Sequence, residues 1–323
     1  MRILFIGGTQ FMGRATVERM IARGHDVSVL HRRDHNDFED GTVQNIQADR
    51  GDLDAMARIL GDGRFAAVFD FAYDMEHGTT AAQVEAAARS CGSELERYIF
   101  ISSVVAYGAG VDLPEDAPLV PDHPVPYYQH KAASEQALFA MHRASGVPVT
   151  TLRPPFVHGP RQPYYREAFF WDRMLDDRPI ILPDGGTAPM QWVFAPDVAE
   201  ACVRILAVPE AAGEAFNLGH EPTTQRGFVE ALARAAGVEP TLVSLPRSTI
   251  HAEGGQLEGE NLYFGEFLDV LPPLTSAVAK AARVLDVEPT PLDEALRESF
   301  AWYCEQPRRS VDYSFEDRLL AAA

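Results

Sequence analysis

Lysine is nearly absent from this chain: of 28 basic side chains among 323 residues, only Lys131 and Lys280 are lysines and the rest are arginine. Basic residues as a class are outnumbered by 47 acids, for a net charge of −19. That balance repels nucleic-acid phosphate and anionic membrane surfaces, though it leaves room for one local basic pocket holding a small anion. Cysteine is also scarce. Cys91, Cys202 and Cys304 are odd in number and far apart, which excludes a disulfide framework and predicts buried free thiols in a reducing compartment. No apolar run approaches the ~18 residues needed to span a bilayer. The chain passes from Met1-Arg2 straight into a strand pattern with no room for a signal peptide, so a cytoplasmic location is expected, with neither membrane nor nucleic acid as partner. HExxH, CxxC and Gly-x-Ser-x-Gly are missing and the histidines lack ligand spacing, so no metal site or hydrolase elbow is expected.

What is present reads as an α/β protein. The first 150 or so residues alternate β-rich runs with alanine-rich helical stretches, the rhythm of βαβ units on a parallel sheet. Strands are predicted at Arg2–Ile6, Asp26–Leu30, Ala67–Phe71, Tyr98–Ser102 and Val149–Arg153. Met12, Thr16, Val17, Met20 and Ile21 fall at helical spacing and Gly24 closes that helix; Gln83–Ala88 and Ala132–Met141 read as two more. Past Arg153 the prolines multiply and the rhythm fades. The expected division is a Rossmann-like, doubly wound dinucleotide-binding domain over 1–159 plus about 190–220, with a smaller substrate-binding lobe over about 160–189 plus 221–323. Glu260–Gly265 spells ENLYFG, close to a protease-tag site but ending in glycine, and reads as native sequence.

Ile3–Gly13 reads ILFIGGTQFMG, a hydrophobic strand, a glycine turn and the start of a helix. Glycines at 7, 8 and 13 allow positive φ and close approach of backbone N–H groups to a pyrophosphate, and the helix dipole points at the same place. Gly7, Thr9, Gln10, Phe11, Met12 and Gly13 are therefore the expected phosphate-binding residues. At the end of the second strand an acid would favour NAD, whereas this chain places Arg32 and Arg33 there, with Arg14 close by. NADP(H) is the expected cofactor in preference to NAD(H).

Lys131 follows Tyr127 by four residues, and Tyr128 by three, so on a helix either phenol shares its face. A lysine cation lowers the pKa of a neighbouring phenol and reaches a ribose hydroxyl on a flexible stem. A phenol so shifted exchanges a proton with a carbonyl or carbinol near neutral pH.

With the glycine loop, Ser102-Ser103 ahead of Tyr107-Gly108, and Tyr127-x-x-x-Lys131, the chain resembles an atypical branch of the extended short-chain dehydrogenase/reductase family, which includes the NAD-dependent epimerase/dehydratases. The resemblance runs from Met1 to about Asn217. It implies Ser103 as the hydroxyl that holds the substrate oxygen, Tyr127 as general acid/base, and Lys131 as the ribose-holding cation that depresses the tyrosine. It further implies that Asp49 and Arg50 contact adenine, that Phe71, Ala72 and Tyr73 pass beside the cofactor, and that Pro154 flanks the nicotinamide. Homodimerisation through the helix bearing the Tyr-Lys pair is also implied.

Departures from the family pattern narrow the chemistry. The dehydratases of the family carry an Asp-Glu pair where Val104 and Val105 stand, so that type of elimination is not expected. Nucleotide-sugar epimerases place Asn and Arg where Phe156 and Met190 stand, and no arginine lies between Arg178 and Arg204 to replace the lost charge. The expected pocket lining is apolar and aromatic, from Val104, Val105, Phe156, Met190 and Trp192, with Tyr73, Tyr164, Tyr165 and His158 nearby; His158 reads as a hydrogen-bonded structural histidine in preference to a second proton donor, and the lining suits a ring-bearing or lipid-like carbonyl. The reading is an NAD(P)-dependent oxidoreductase acting on a small carbonyl or alcohol. Its rivals are a nucleotide-sugar epimerase and a non-catalytic nucleotide- or RNA-binding protein, since GGTxFxG also resembles a plastid RNA-binding branch of the superfamily.

Overall fold

Seven short strands pair into one parallel sheet in the computed structural model, which describes residues 1–35, 38, 41–254 and 273–321. In chain order the strands are β1 (Arg2–Ile6), β2 (Asp26–His31), β3 (Gln44–Gln47), β4 (Ala67–Asp70), β5 (Arg97–Ile101), β6 (Gly110–Leu113), β7 (Val149–Arg153) and β8 (Phe156–His158). They continue with β9 (Ile180–Pro183), β10 (Pro189–Met190), β11 (Trp192–Phe194), β12 (Glu214–Asn217), β13 (Thr223–Thr224), β14 (Leu242–Leu245) and β15 (Leu274–Ser276). The large sheet has the order β12-β7-β5-β4-β1-β2-β3, all neighbours parallel. The remaining strands form two-stranded pairs, of which β8 with β11, β9 with β14 and β6 with β15 are parallel and β10 with β13 is antiparallel.

Burial on both faces explains why the central strands read as continuous hydrophobic runs: Ile3, Leu4, Phe5 and Ile6 are all inaccessible to solvent. Helices α1 (Phe11–Ala22), α2 (Leu53–Asp62), α3 (Ala81–Ser90), α4 (Pro126–Ser145), α5 (Glu167–Leu175), α6 (Ala195–Ala207), α7 (Gln225–Ala236) and α8 (Arg247–Ala252) complete the frame. Val17 and Met20 of α1 and Val198, Cys202 and Ile205 of α6 build the core on one face. Met56 and Leu60 of α2, Val84 and Ala87 of α3, and Leu138 and Met141 of α4 build it on the other. A separate apolar cluster, with Phe169, Trp171, Leu182, Trp192 and Phe228 at its centre, lies among α5, α7, β9 and β14.

The five predicted strands are all present, with ends displaced by at most a residue or so. β3 escapes prediction because Gln-Asn-Ile-Gln is a polar edge strand with no apolar run. Helix α4 begins at Pro126, six residues before the predicted start, because proline occupies its first turn where the missing N–H costs nothing. The expectation of three buried thiols is corrected: only Cys202 is buried, Cys91 is half-buried, and Cys304 is exposed at the end of helix Leu292–Cys304. Apolar neighbours in sequence do not decide which way the last helical residue points. Among the described residues no helix is long and apolar enough to cross a membrane. The ENLYFG segment lies outside the described residues.

Candidate active site

The chain order reverses about β1, which puts a crevice at the carboxyl ends of β1 and β4, and the glycine turn sits there. Gly7 takes φ +84 and donates its N–H to Leu30 O at 2.9 Å. A Cβ on Gly7 would stand 3.2 Å from Ala72 N, and one on Gly13 would stand 2.7 Å from Gly8 Cα. Phe11 opens α1 at φ +46, a left-handed conformation that a bulky side chain rarely adopts. The turn is thus a cradle closed to side chains, with the start of α1 behind it, and it fits a dinucleotide pyrophosphate. Gly13→Ala is expected to weaken dinucleotide binding by roughly tenfold or more, because the clash is with backbone that cannot rotate away. Fluorescence titration of NADH and NADPH against the variant measures this.

A cavity of about 140 Å³ continues from the turn, lined by His31, Arg32, Asp49, Ala72, Tyr73 and Asp74 among others. Arg32 Nη1 lies 3.3 Å from Asp74 Oδ2. Asp74 Oδ1 also accepts the Glu76 and His77 amides at 2.9 and 3.0 Å, and these bonds hold its carboxyl below the usual range. Arg33 is exposed and its amide donates to His31 Nδ1 at 3.2 Å. Asp49 accepts the Gly51 amide at 2.7 Å. Arg50, expected at adenine, also lines this cavity; its guanidinium is paired bidentately with Asp70, at 2.5 and 2.6 Å, and donates to Ala72 O at 3.0 Å. Tyr98 completes the Asp70 shell at 2.7 Å. Arg50 therefore ties the end of β4 to the segment beside Gly7, a structural task that an Asp-Arg dipeptide does not reveal.

Helix α4 carries Tyr127 and Lys131 one turn apart, and β5 delivers Ser103 just past its end. Ser103 Oγ donates to Pro154 O at 3.3 Å and accepts the Val105 amide at 3.4 Å, and its hydroxyl lowers the pKa of the neighbouring Tyr127 phenol. The competitors separate cleanly. Tyr128 is buried against His123, ring centroids 4.5 Å apart, and the Ser102 hydroxyl is buried with no hydrogen bond among the described residues. Lys131 is buried, its Nζ donating to Ile101 O at 2.6 Å and lying 5.8 Å from the Tyr127 ring centroid.

Burial pushes the Tyr127 phenol up to about 12, against the lowering influence of Ser103 and Arg166, while nearby Tyr164 and Tyr73 raise it. Lys131 is turned toward the Ile101 carbonyl, and burial lowers its own pKa to about 8 against the raising charge of Asp70.

Around this centre Tyr73 meets Tyr127 edge to face at 4.8 Å and its hydroxyl lies 3.0 Å from His130 Nδ1. Phe71 stacks on Phe5 at 5.9 Å. Val104 is buried, while Val105 and Phe156 are partly exposed. Three predicted lining residues pack instead in or against the apolar cluster around Phe228. Trp192 stacks flat on Phe228 at 3.9 Å, Met190 is buried in the same cluster, and His158 is enclosed with Nε2 3.1 Å from His220 Nε2. Burial lowers the pKa of both histidines, His220 to about 4, so the pair is neutral and His158 is not placed as a proton donor. β8 and β11 pair with each other, which turns these side chains into the lobe. Tyr164 is an aromatic expected near this pocket, whereas Arg166 carries no sequence signal beyond its place in the Pro-Tyr-Tyr-Arg run.

The family model for the NAD dependent epimerase/dehydratase family matches residues 3–219. A chloroplast stem-loop binding protein of 41 kDa from Arabidopsis thaliana is 30% identical over 257 residues, covering 75% of this chain and 65% of that protein. This chain therefore spans less than two thirds of that relative's length. A UDP-glucose 4-epimerase from Mycolicibacterium smegmatis is 27% identical over 267 residues, covering 73% of this chain and 83% of the relative. Among solved structures, a UDP-glucuronic acid 4-epimerase from Bacillus cereus with UDP-glucuronic acid and NAD superposes with a TM-score of 0.74 at 20% identity, over 94% of this chain and 99% of the other. At that identity the likeness is one of fold.

Proposed function

Because the chain belongs to the NAD-dependent epimerase/dehydratase family, we propose that it is an oxidoreductase acting on a small ring-bearing or otherwise apolar carbonyl compound, with NADPH preferred over NADH. The observation that carries this reading is the gathering of Tyr127, Lys131 and Ser103 at the carboxyl end of β5, with Lys131 Nζ 5.8 Å from the Tyr127 ring and bonded to Ile101 O, and Ser103 bonded to Pro154 O; burial keeps the phenol in its acid form. A protonated phenol at neutral pH is a donor, which is what carbonyl reduction requires and what alcohol oxidation must first undo. Gly7, Gly8 and Gly13 would hold the pyrophosphate of a nicotinamide dinucleotide, which would supply the hydride. Tyr127 gives its proton to the carbonyl oxygen, Ser103 orients that oxygen, and Lys131 presents a cation at the floor of the site. The apolar faces of Val105, Phe156 and Tyr73 exclude water and favour a ring.

Support for NADPH comes from Arg32 and Arg33 at the end of β2. A 2′-phosphate would compete with Asp74 for Arg32. Arg32→Ala is accordingly expected to raise the Kd for NADPH about tenfold while leaving that for NADH within about twofold. Equal effects on the two cofactors would remove Arg32 from their discrimination.

Similarity to a UDP-glucose 4-epimerase favours a second reading, in which an oxidised nicotinamide is retained and recycled. Denaturing fresh protein and weighing the released nicotinamide separates the two: near-stoichiometric NAD+ supports epimerisation, and an exchangeable site that takes up NADPH supports reduction. The stem-loop binding relative supplies a third possibility, which the net charge of −19 opposes. Absence of RNA binding at low salt, where phosphate attraction is strongest, eliminates it.

A further inference from the structure

His130 stands between Tyr127 and Lys131 in sequence, and the reduction chemistry above gives it no task. Three residues past the phenol on α4, it shares the helix face that carries Tyr127. Its Nδ1 lies 3.0 Å from the Tyr73 hydroxyl. The imidazole also fills the space that a side chain at position 78 would need: a Cβ on Gly78 would stand 2.5 Å from His130 Cε1 and 2.8 Å from Nδ1. Gly78 takes φ +78 and its amide donates to Asp74 O at 2.8 Å, while the Asp74 amide donates to Thr79 Oγ1 at 3.0 Å. The segment that leaves β4 is thus folded back onto His130, with the Tyr73 hydroxyl and Gly78 both against the imidazole.

Tyr73 is where these contacts bear on the site. Its ring meets Tyr127 edge to face with centroids 4.8 Å apart, lies 5.3 Å from Lys131 Nζ, and lines the cavity that continues from the glycine turn. One side chain therefore borders the phenol, the lysine and the dinucleotide cavity. We propose that His130 is a positioning residue: through its hydrogen bond it fixes the Tyr73 ring between that cavity and Tyr127, and so sets the register in which cofactor and phenol meet. An edge-to-face contact by itself is weak and lets a ring tilt, whereas the directionality of a hydrogen bond at the hydroxyl removes that freedom. A misplacement of about 1 Å at a reacting centre can cost about a hundredfold in rate. The inference deepens the proposed function and rests on Tyr127 being the proton donor.

The test compares His130→Ala, His130→Asn, Tyr73→Phe and the double change His130→Ala with Tyr73→Phe, assayed with NADPH and 4-nitrobenzaldehyde. His130→Ala is expected to lower kcat about thirtyfold with KM for the aldehyde within about twofold. Tyr73→Phe keeps the ring and loses only the hydroxyl, so it is expected to match that loss. The double variant is expected to lose no more than either single one, because both changes remove the same bond. His130→Asn, whose amide reaches the Nδ1 position, is expected to restore most of the turnover. A helix merely loosened by substitution would give neither the match nor the rescue. Losses that multiply in the double variant, or an unaltered kcat in His130→Ala, would overturn the inference. The side-chain ¹⁵N resonances of His130 give a reading without turnover: saturation with the tighter-binding of NADPH and NADH is expected to shift them in the wild type and not in Tyr73→Phe. Resonances unmoved by dinucleotide in the wild type, or moved equally in both proteins, would likewise sink it. The expected resonance pattern in a protein that reduces no aldehyde or ketone with either dinucleotide would strike the hydride-transfer reading alone.

Discussion

Tyr127→Phe is expected to lose about a thousandfold in kcat for carbonyl reduction while binding NADPH with near-wild-type Kd. Removing one oxygen leaves the ring packed against Tyr73, so the loss falls on proton transfer, whose usual contribution is about 10²–10⁴-fold. Retained turnover would take Tyr127 out of the mechanism. The pH dependence adds a second signature. The phenol stays protonated through neutrality, so reduction is not expected to rise or fall with Tyr127 below about pH 10. Lys131 is the group that titrates first: burial lowers its pKa to about 8, and above that its charge is lost. Reduction is expected to decline as the pH rises through this value in the free protein. A bell centred well below neutrality would contradict both assignments.

Arg153→Met is expected to destabilise the fold by about 3–5 kcal/mol, the cost of stranding a buried carboxylate. Glu135 of α4 and Arg153 at the end of β7 are both buried, joined at 2.6, 2.9 and 3.0 Å. Arg153 also donates to the Tyr107 hydroxyl at 2.6 Å and Glu115 O at 2.8 Å, and Tyr107 passes the chain to Asn217 at 2.8 Å. This network ties the helix bearing Tyr127 and Lys131 to the end of the sheet. The double change Glu135→Leu with Arg153→Met is expected to recover much of the loss, because a buried pair replaced by apolar side chains leaves no uncompensated charge. Urea midpoints at constant m-value measure both. A single variant as stable as the wild type would show that water reaches Glu135.

Residues 152–154 illustrate how much of the site was legible. The Pro154 carbonyl accepts the Ser103 hydroxyl, but the sequence did not reveal that Arg153 turns away into a buried ion pair. Nor did it reveal that Arg50 pairs with a buried aspartate, since an arginine in sequence is compatible with many anionic partners. Trp192 and Met190 looked like pocket lining because aromatic and thioether side chains serve both pockets and cores, and their fate depends on β8 pairing with β11. Arg166 went unnoticed for the converse reason: it lies 39 residues beyond Tyr127 in a proline-rich stretch with no periodicity to place it.

Local rules were sufficient for the parallel sheet, the glycine turn and the shared face of Tyr127 and Lys131. Strand burial, positive φ and the helical repeat are each set by a few neighbouring residues, and the sequence by itself determined them. The charge state of the proton donor was decided only by the tertiary structure. A phenol's pKa depends on how much water remains around it and which dipoles and cations reach it. Here those groups arrive from β4, β5 and the start of α5, elements that only folding brings together.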